Sequence, residues 1–336
     1  MTRPAPYRAQ PRGTLSRLAL RAVRGLDRAG VPLSAELSRR SLWGHVPRRP
    51  ARRPEGRRPL ALSFDLDYQA DTDALPVLLG VLDRADARAT LFSIGRLVEA
   101  NPGPYREALA AGHEVGNHTW SHPDNPVLNP DREFWDLTVE EMADEIGRAQ
   151  DAFERHLGVR PVGFRTPHFK DAFRMMEAVE RFPEITYVST ALASKAPLAV
   201  PYFPTRDPFA GDLSLHFSHA DPARNHDALM IPLTPSPDAR WSPFCSYRSI
   251  RRPADPARGV GLHTLAEFRA LWDRMLAESW ADGFASVYFD PMDVARDAET
   301  AAVFEAMLRD AAGAGWTLAP LCEVERAWRP FFEAEA

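Results

Sequence analysis

The 336-residue sequence predicts an α/β fold, either a parallel barrel or an open sheet. Two observations carry that expectation. From residue 59 onward, short apolar runs alternate with stretches of helical spacing, giving about seven or eight strands with helices between them. In addition, polar residues cluster just past the carboxyl ends of the apolar runs: Asp65 and Asp67, His118, Arg165 and Asp290. In a parallel barrel these ends converge on one face, where active sites form.

Each element has its own signal. Residues 60–64, Leu-Ala-Leu-Ser-Phe, form a short apolar strand that runs into the two acids. Residues 74–83 have helical spacing. Residues 89–94 are a second strand, stopped by Gly95, and 104–111 a helix that ends at Gly112. Glu114-Val115-Gly116 is a short strand leading to His118. Thr138 and Glu141 form a capping box that opens a long helix to about Leu157, where Gly158 stops it. Residues 162–164 are a strand running into Arg165, 172–181 a helix, and 186–189 a strand. Residues 194–226 contain Pro and His without periodicity. The region around 194–256 is therefore expected to be an irregular insertion, a long loop or a hairpin. Residues 229–233 are a further strand. Thr264 and Glu267 make a second capping box, opening a helix to about Ala281. Residues 285–289 are a strand ending at Asp290, followed by a helix over 298–312 and a last strand at 316–318.

Hydrophobic residues are 45% and charged residues 26% of the chain, a composition that supports a full core in one large domain. No apolar run of about eighteen residues occurs, so no membrane-spanning helix is expected. Cys245 and Cys322 are too few and too far apart for a disulfide framework, and they read as small buried apolar residues.

The net charge of −5 conceals an asymmetry. Residues 1–58 hold 15 Arg and three acids, a net of +12, while the rest holds 26 basic and 43 acidic side chains, a net of −17. We read 1–58 as a basic Arg/Pro-rich arm, partly helical or disordered, ahead of a domain over 59–336. Arg17, Arg21, Arg24 and Arg28 share one helical face. The arm is either a peripheral contact for an anionic membrane or other anionic polymer, or a solvated helix or tail. Its apolar stretches are short and broken by Arg, so a secretory signal is not expected, although an organelle transit peptide shares its Arg richness. The expectation is a cytoplasmic location with membrane association through the arm. Nucleic acid is not an expected partner, since the basic charge is confined to the arm and the body is acidic.

His118 and His122, four residues apart, can reach one ion from a single turn or tight loop. By itself His-x-x-x-His is a weak signal. Beside two acids at a neighbouring strand end it becomes a candidate metal site. Two imidazoles and one carboxylate suit zinc or a similar divalent ion, and they leave positions open for water and substrate.

Four blocks, Ser63-Phe-Asp-Leu-Asp67, Thr90-Leu-Phe-Ser-Ile-Gly95, Gly112-His-Glu-Val-Gly-Asn-His-Thr-Trp-Ser-His122 and Phe164-Arg-Thr-Pro167, resemble in order and spacing the polysaccharide deacetylase (NodB-homology, carbohydrate esterase family four-like) family. The resemblance covers about residues 59–320. It implies a distorted (β/α) barrel of about seven strands and a divalent-metal amide hydrolase acting on an N-acylated amino sugar. Zinc is the first expectation for the metal, with cobalt, manganese or nickel as substitutes. By resemblance, Asp67, His118 and His122 are metal ligands, Asp65 is the general base, and Arg165 orients it. The separated pair Asp65-x-Asp67 and the strand Ile231-Pro-Leu-Thr are similar to a Phe-Asp-x-Asp branch that acts on varied amides, some of them not sugars.

Two positions depart from the family. His168 stands after the Pro where an aromatic is usual, followed by Phe169. Asp290, in Asp290-Pro291, occupies the place of the usual His general acid. As a proton donor Asp290 would need a raised pKa. Otherwise His168, His216 or His219 could serve. Trp120 and Phe169, with Tyr202, Phe203, Trp241, Phe244 and Tyr247, could line a sugar-stacking groove or serve as core and loop anchors. The expected substrate is an N-acylated glycan or its precursor. The alternatives are a small imide, formamide or ureide, or a glycan- or lipid-binding module that keeps the metal and lacks turnover.

Overall fold

A computed structural model describes residues 58–169, 174–191, 200–206, 218, 222–251 and 263–333. The arm before residue 58, most of 194–226 including His216 and His219, and the side chain of Trp241 lie outside the described residues.

The expected strands form in the expected order. They are β1 (Arg58–Leu66), β2 (Thr90–Ser93), β3 (Glu114–Asn117), β4 (Gly163–Phe164), β5 (Tyr187–Val188), β6 (Leu229–Met230), β9 (Ala285–Phe289) and β10 (Trp316–Ala319), with a small antiparallel hairpin, β7 (Pro235–Ser236) and β8 (Ala239–Pro243), inside the predicted insertion. All pairings in the main sheet are parallel. β1 is its centre, with Leu60–Phe64 against β9, Ser63–Leu66 against β2 and Arg58–Ala61 against β10. From β2 the order runs β3, β4, β5, β6. Past β6 the chain turns back toward β9. The Thr234 N–H donates to the Ser286 carbonyl at 2.8 Å, and the Ser286 N–H to Thr234 Oγ1 at 2.9 Å. The sheet is thus curled into a distorted (β/α) barrel, as expected.

The two-residue period of a strand sorts the side chains. On β1, Leu60, Leu62 and Phe64 face outward into the main core, whereas Ala61, Ser63 and Asp65 face inward. On β9, Val287 and Phe289 pack outward, leaving Tyr288 and Asp290 for the inside. The outer core lies beneath α1 (Gln69–Arg84), α3 (Leu265–Ser279) and α4 (Ala298–Gly313), around Phe244, Phe268, Trp272, Phe289 and Phe304. A second cluster joins α2 (Val139–Leu157) to Phe164, Val188 and Met230.

Both capping boxes are present, Thr138 with Glu141 on α2 and Thr264 with Glu267 on α3, and Gly158 ends α2 at φ 73°. The short helices at 95–100 and 291–294, and α5 (Leu321–Trp328), were not legible as periodic segments. They are held by tertiary contact. Gly95 is an example, since a Cβ there would sit 2.7 Å from the Trp120 ring and 2.9 Å from Ala149 Cα, so only glycine lets this helix approach α2. No helix among the described residues is long and apolar enough to cross a membrane.

Candidate active site

The inward face of the strand ends lines a cavity of about 330 Å³, bounded by Asp65, Asp67, His118, His168, Phe169, Tyr288 and Asp290, with residues 242–251 on the opposite wall. Of the nine residues expected to form the site, eight converge here or directly beside it. Trp120 does not.

Asp67, His118 and His122 place one ligand atom each within 4.8 Å of one another. Asp67 Oδ1 is 3.2 Å from His118 Nε2 and 3.6 Å from His122 Nε2. His118 Nδ1 lies 2.9 Å from the Arg165 carbonyl, which can only accept, so Nδ1 carries the proton and Nε2 offers its lone pair. Both ring nitrogens of His122 and the Oδ1 of Asp67 are buried without a hydrogen-bond partner. Buried polar atoms are costly to leave unmade. Neutral imidazole nitrogen and carboxylate oxygen are the donors a divalent ion takes, so this group of residues fits a metal.

The surrounding charges agree with that fit. Burial pushes the His122 imidazole down to about 3, keeping it neutral despite Asp67. Burial would raise Asp67, but His122 and His118 override it and hold that carboxyl well below the usual range. The Asp71 carboxyl, which accepts the Asp67 and Tyr68 N–H groups at 3.1 Å, is pushed up to about 7 by burial and by the Asp67 charge.

The loop that carries the histidines is not a helical turn. Thr119 and His122 have φ of 72° and 52°, and Asp124, His168 and Phe169 nearby are also in the left-handed region. Such strain in non-glycine residues persists only where the surroundings over-determine it. Here Asn117 Oδ1 accepts the Thr119 N–H at 2.8 Å, and Thr119 Oγ1 accepts the His122 N–H at 3.0 Å. Glu145 on α2 accepts the N–H groups of Trp120 and Ser121 and the Ser121 hydroxyl. Asn125 donates to the Asp67 carbonyl at 2.9 Å.

Arg165 is fully buried at the centre of the barrel. Its Nη1 donates to Asp65 Oδ1, its Nη2 to the hydroxyls of Ser63 and Ser189 at 2.9 Å, and its Nε to the Ser189 carbonyl at 3.0 Å. The Phe92 ring covers its guanidinium at 4.1 Å. Burial raises the Asp65 carboxyl and Arg165 opposes that rise; the arginine holds Oδ1 alone, leaving the other oxygen of Asp65 free of it. Ser63, Ser189, Glu145 and Asn125 were missed from sequence. Ser63 lay two residues before Asp65 on the same face, which was the available signal.

The structure bears on three sequence expectations. Trp120 is no cleft residue, because its ring packs over Gly95 and beneath Arg148 at 4.8 Å, on the α2 side of the loop. Of the other aromatics, Tyr202 and Phe244 are core residues and Phe203 packs on Phe332; among the described side chains of that group, Phe169 and Tyr247 stand at the cavity. Asp290 does reach the cavity, but as the ion-pair partner of Arg251. A guanidinium binds the carboxylate form, which accepts hydrogen bonds and has no proton to give. His168 lines the same cavity, with its ring 4.8 Å from that of His122 and its Nε2 3.5 Å from Asp124 Oδ2.

Comparison with known proteins bears out the family resemblance. Residues 52–182 match the family model described as Polysaccharide deacetylase. Over 109 residues the chain is 30% identical to the peptidoglycan-N-acetylglucosamine deacetylase PgdA of Listeria monocytogenes, covering 32% of this chain and 21% of that protein. It is likewise 34% identical over 109 residues to the peptidoglycan-N-acetylmuramic acid deacetylase PdaC of Bacillus subtilis, again 32% of this chain and 21% of that one. The match therefore spans about a fifth of these relatives' length. A solved Mycobacterium smegmatis protein described as a polysaccharide deacetylase superposes with TM-score 0.64 at 20% identity, over 85% of this chain and 95% of that one. Puue allantoinase superposes with TM-score 0.60 at 13% identity, over 86% and 96%. These two establish the fold.

Proposed function

We propose that this chain, with its polysaccharide-deacetylase-like residues 52–182, is a divalent-metal-dependent hydrolase of a carbon–nitrogen amide bond that removes the acyl group from an N-acylated amino sugar of a glycan or glycan precursor. One observation carries the reading. The unpaired donor atoms of Asp67 and His122 converge with His118 in a cavity that also holds Asp65, a carboxylate gripped from behind by Arg165. The relatives named as peptidoglycan deacetylases support the glycan as substrate.

Asp67, His118 and His122 would hold the ion, with zinc first and cobalt, manganese or nickel as substitutes. When bound, a divalent ion supplies Lewis-acid polarisation of the acyl carbonyl and lowers the pKa of water. Asp65 takes the proton of the attacking water, and Arg165 fixes the carboxylate so that its free oxygen faces the cavity. The C–N bond breaks as the leaving nitrogen gains a proton. His168, beside His122 and partnered by Asp124, is placed to give it. Asp290, held by Arg251, accepts hydrogen bonds from the substrate instead. Phe169, Leu233 and Tyr288 form the apolar side that receives the acyl group and excludes water.

A second reading, a small imide, formamide or ureide substrate, is favoured by the cavity itself, since 330 Å³ is at the small end for ligand sites. Metal-loaded protein should release acetate or formate from chitooligosaccharides or peptidoglycan fragments. Release from small amides alone would select the second reading. Silence across both sets, with metal bound, would leave a binding module. We also propose that the basic arm makes peripheral contact with anionic membrane. Sedimentation with anionic liposomes at low salt should depend on residues 1–58, and unchanged sedimentation without them would remove that idea.

A further inference from the structure

Asp290 stands as the N-cap residue of the short helix Pro291–Val294, yet its side chain caps nothing. An aspartate at that position ordinarily accepts an N–H of the first turn. Here every such donor is already used. Pro291 has no N–H. The N–H groups of Asp293 and Val294 donate to the Asp290 carbonyl at 3.0 and 3.5 Å, and the Met292 N–H donates to Asp71 Oδ1 at 3.2 Å. The cap therefore comes from another element, α1.

Asp71 is 1% exposed, and among the described residues its hydrogen-bond donors are three backbone N–H groups. Its Oδ2 accepts those of Tyr68 and Asp67 at 3.1 Å each. The bond from Tyr68 belongs to the start of α1, where Asp71 is the third helical residue. The other two lie outside that role. One reaches a candidate metal ligand, and the other the turn that carries Asp290. With no cap to make, the Asp290 carboxylate turns to the cavity wall and accepts from Arg251 Nη2. Arg251 Nε lies 3.3 Å from Asp293 Oδ1, so the wall arginine spans both acids of this turn.

We infer that Asp71 is a positioning residue for the substrate wall: by capping Pro291–Val294 in place of Asp290, it releases the Asp290 carboxylate into the cavity and keeps that wall in register with Asp67. The inference rests on the proposed function, in which Asp290 contacts the substrate and Asp67 holds the ion. Without Asp71 the Met292 N–H loses its partner, and Asp290, as N-cap residue, is the side chain placed to take it. Asp290 then leaves Arg251.

The test is a pair of double-variant cycles in urea unfolding of the metal-free full chain. Asp290→Asn and Arg251→Gln are made singly and together, in the wild type and in Asp71→Ala, which has no side-chain acceptor. In the wild type the two losses should fail to add, because both variants break one ion pair. In Asp71→Ala they should add. A charge effect alone predicts the reverse, since Asp71 also attracts Arg251 and its removal would leave Arg251 more firmly on Asp290. Equal non-additivity in both backgrounds overturns the inference, as does simple additivity in the wild type. If Asp71→Ala does not fold, the Met292 amide decides. Its hydrogen exchange relative to Asp293 and Val294 should be the same in Asp290→Ala as in the wild type, and a selective rise of about tenfold would make Asp290 the cap and overturn the inference. With chitooligosaccharide as substrate, Asp71→Ala should raise KM as Asp290→Asn does, and Asp290→Asn should add no further rise. An unchanged KM in Asp71→Ala counts against the inference and leaves the proposed function standing. Additive losses in Asp71→Ala alone, without hydrolysis by the wild type, do the reverse.

Discussion

The Nδ1–H of His118 donates to the main-chain carbonyl of Arg165 at 2.9 Å, so a metal-ligand candidate is oriented by the same residue whose side chain grips Asp65. The two functions proposed for the site, holding an ion and holding a base, thereby share one structural support. β3 and β4 are paired only at Asn117 and Phe164, the residues immediately before His118 and Arg165, which fixes that relationship in the sheet register. A displacement of either strand end disturbs both functions together.

The first prediction concerns the ion. Dialysis against a chelator should abolish hydrolysis, and zinc, cobalt or manganese should restore it. Saturating metal at about a hundred times its dissociation constant should stabilise the fold by about 2.7 kcal/mol, visible as a rise in melting temperature. In His122→Ala both the rise and the stoichiometric metal, measured by elemental analysis, should vanish. Full metal content in that variant would place the ion elsewhere.

The second concerns Arg165. Replacing it with Met removes the partner of a buried carboxylate and should cost about 3–5 kcal/mol in urea unfolding. Part of that loss is the stranded charge of Asp65. The double variant Arg165→Met with Asp65→Asn should therefore be more stable than Arg165→Met alone. If the two losses simply add, the ion pair is not what Arg165 contributes.

The barrel was legible because its signals are local. Apolar strands, glycine stops and two capping boxes are written in neighbouring residues, and each was found where expected. The candidate metal ligands were legible because Asp67 and His118 directly follow β1 and β3, and His122 lies four residues on in the same loop. What could not be read depends on contacts between distant segments. Glu145 is a helix residue of α2, and nothing near it announces that it receives the backbone of Trp120 and Ser121. Trp120, between the two candidate histidine ligands, suggested the cleft, but the close approach allowed by Gly95 draws its ring to the other side of the loop. Arg251, 39 residues before Asp290, could not be foreseen as its partner, and that pairing changes what Asp290 can do.

The third prediction separates the two candidate proton donors. His168→Gln should lower kcat by about 10²–10⁴-fold, the range for a lost general acid, with metal content unchanged. Asp290→Asn keeps the shape but weakens the contact with Arg251, so it should raise KM with a much smaller effect on kcat. The opposite pattern, a large loss of kcat in Asp290→Asn and little in His168→Gln, would return the acid role to Asp290.

The last prediction follows the pH dependence of metal-free stability. In the folded protein the His122 imidazole is depressed to about 3 from an ordinary value of 6.5. Between these values the unfolded chain binds a proton at His122 that the folded one does not. Stability is therefore fully present above about 6.5 and is lost as pH falls through that window, by about 1.4 kcal/mol per pH unit for this one group. Asp71 acts in the opposite sense. Its folded carboxyl, raised to about 7 from 3.8, holds a proton that the unfolded one has released, so its contribution declines as pH rises over that interval. The two partly cancel in the wild type, and the comparison must be with His122→Gln, which keeps Asp71 and removes the imidazole. In chelator, over about pH 4.5–6.5, above the window in which Asp67 titrates, the wild type should lose stability relative to His122→Gln as the pH falls. A constant difference across that range would mean that His122 accepts a proton in the folded state. A neutral, unpaired imidazole waiting for an ion would then be the wrong description of this residue.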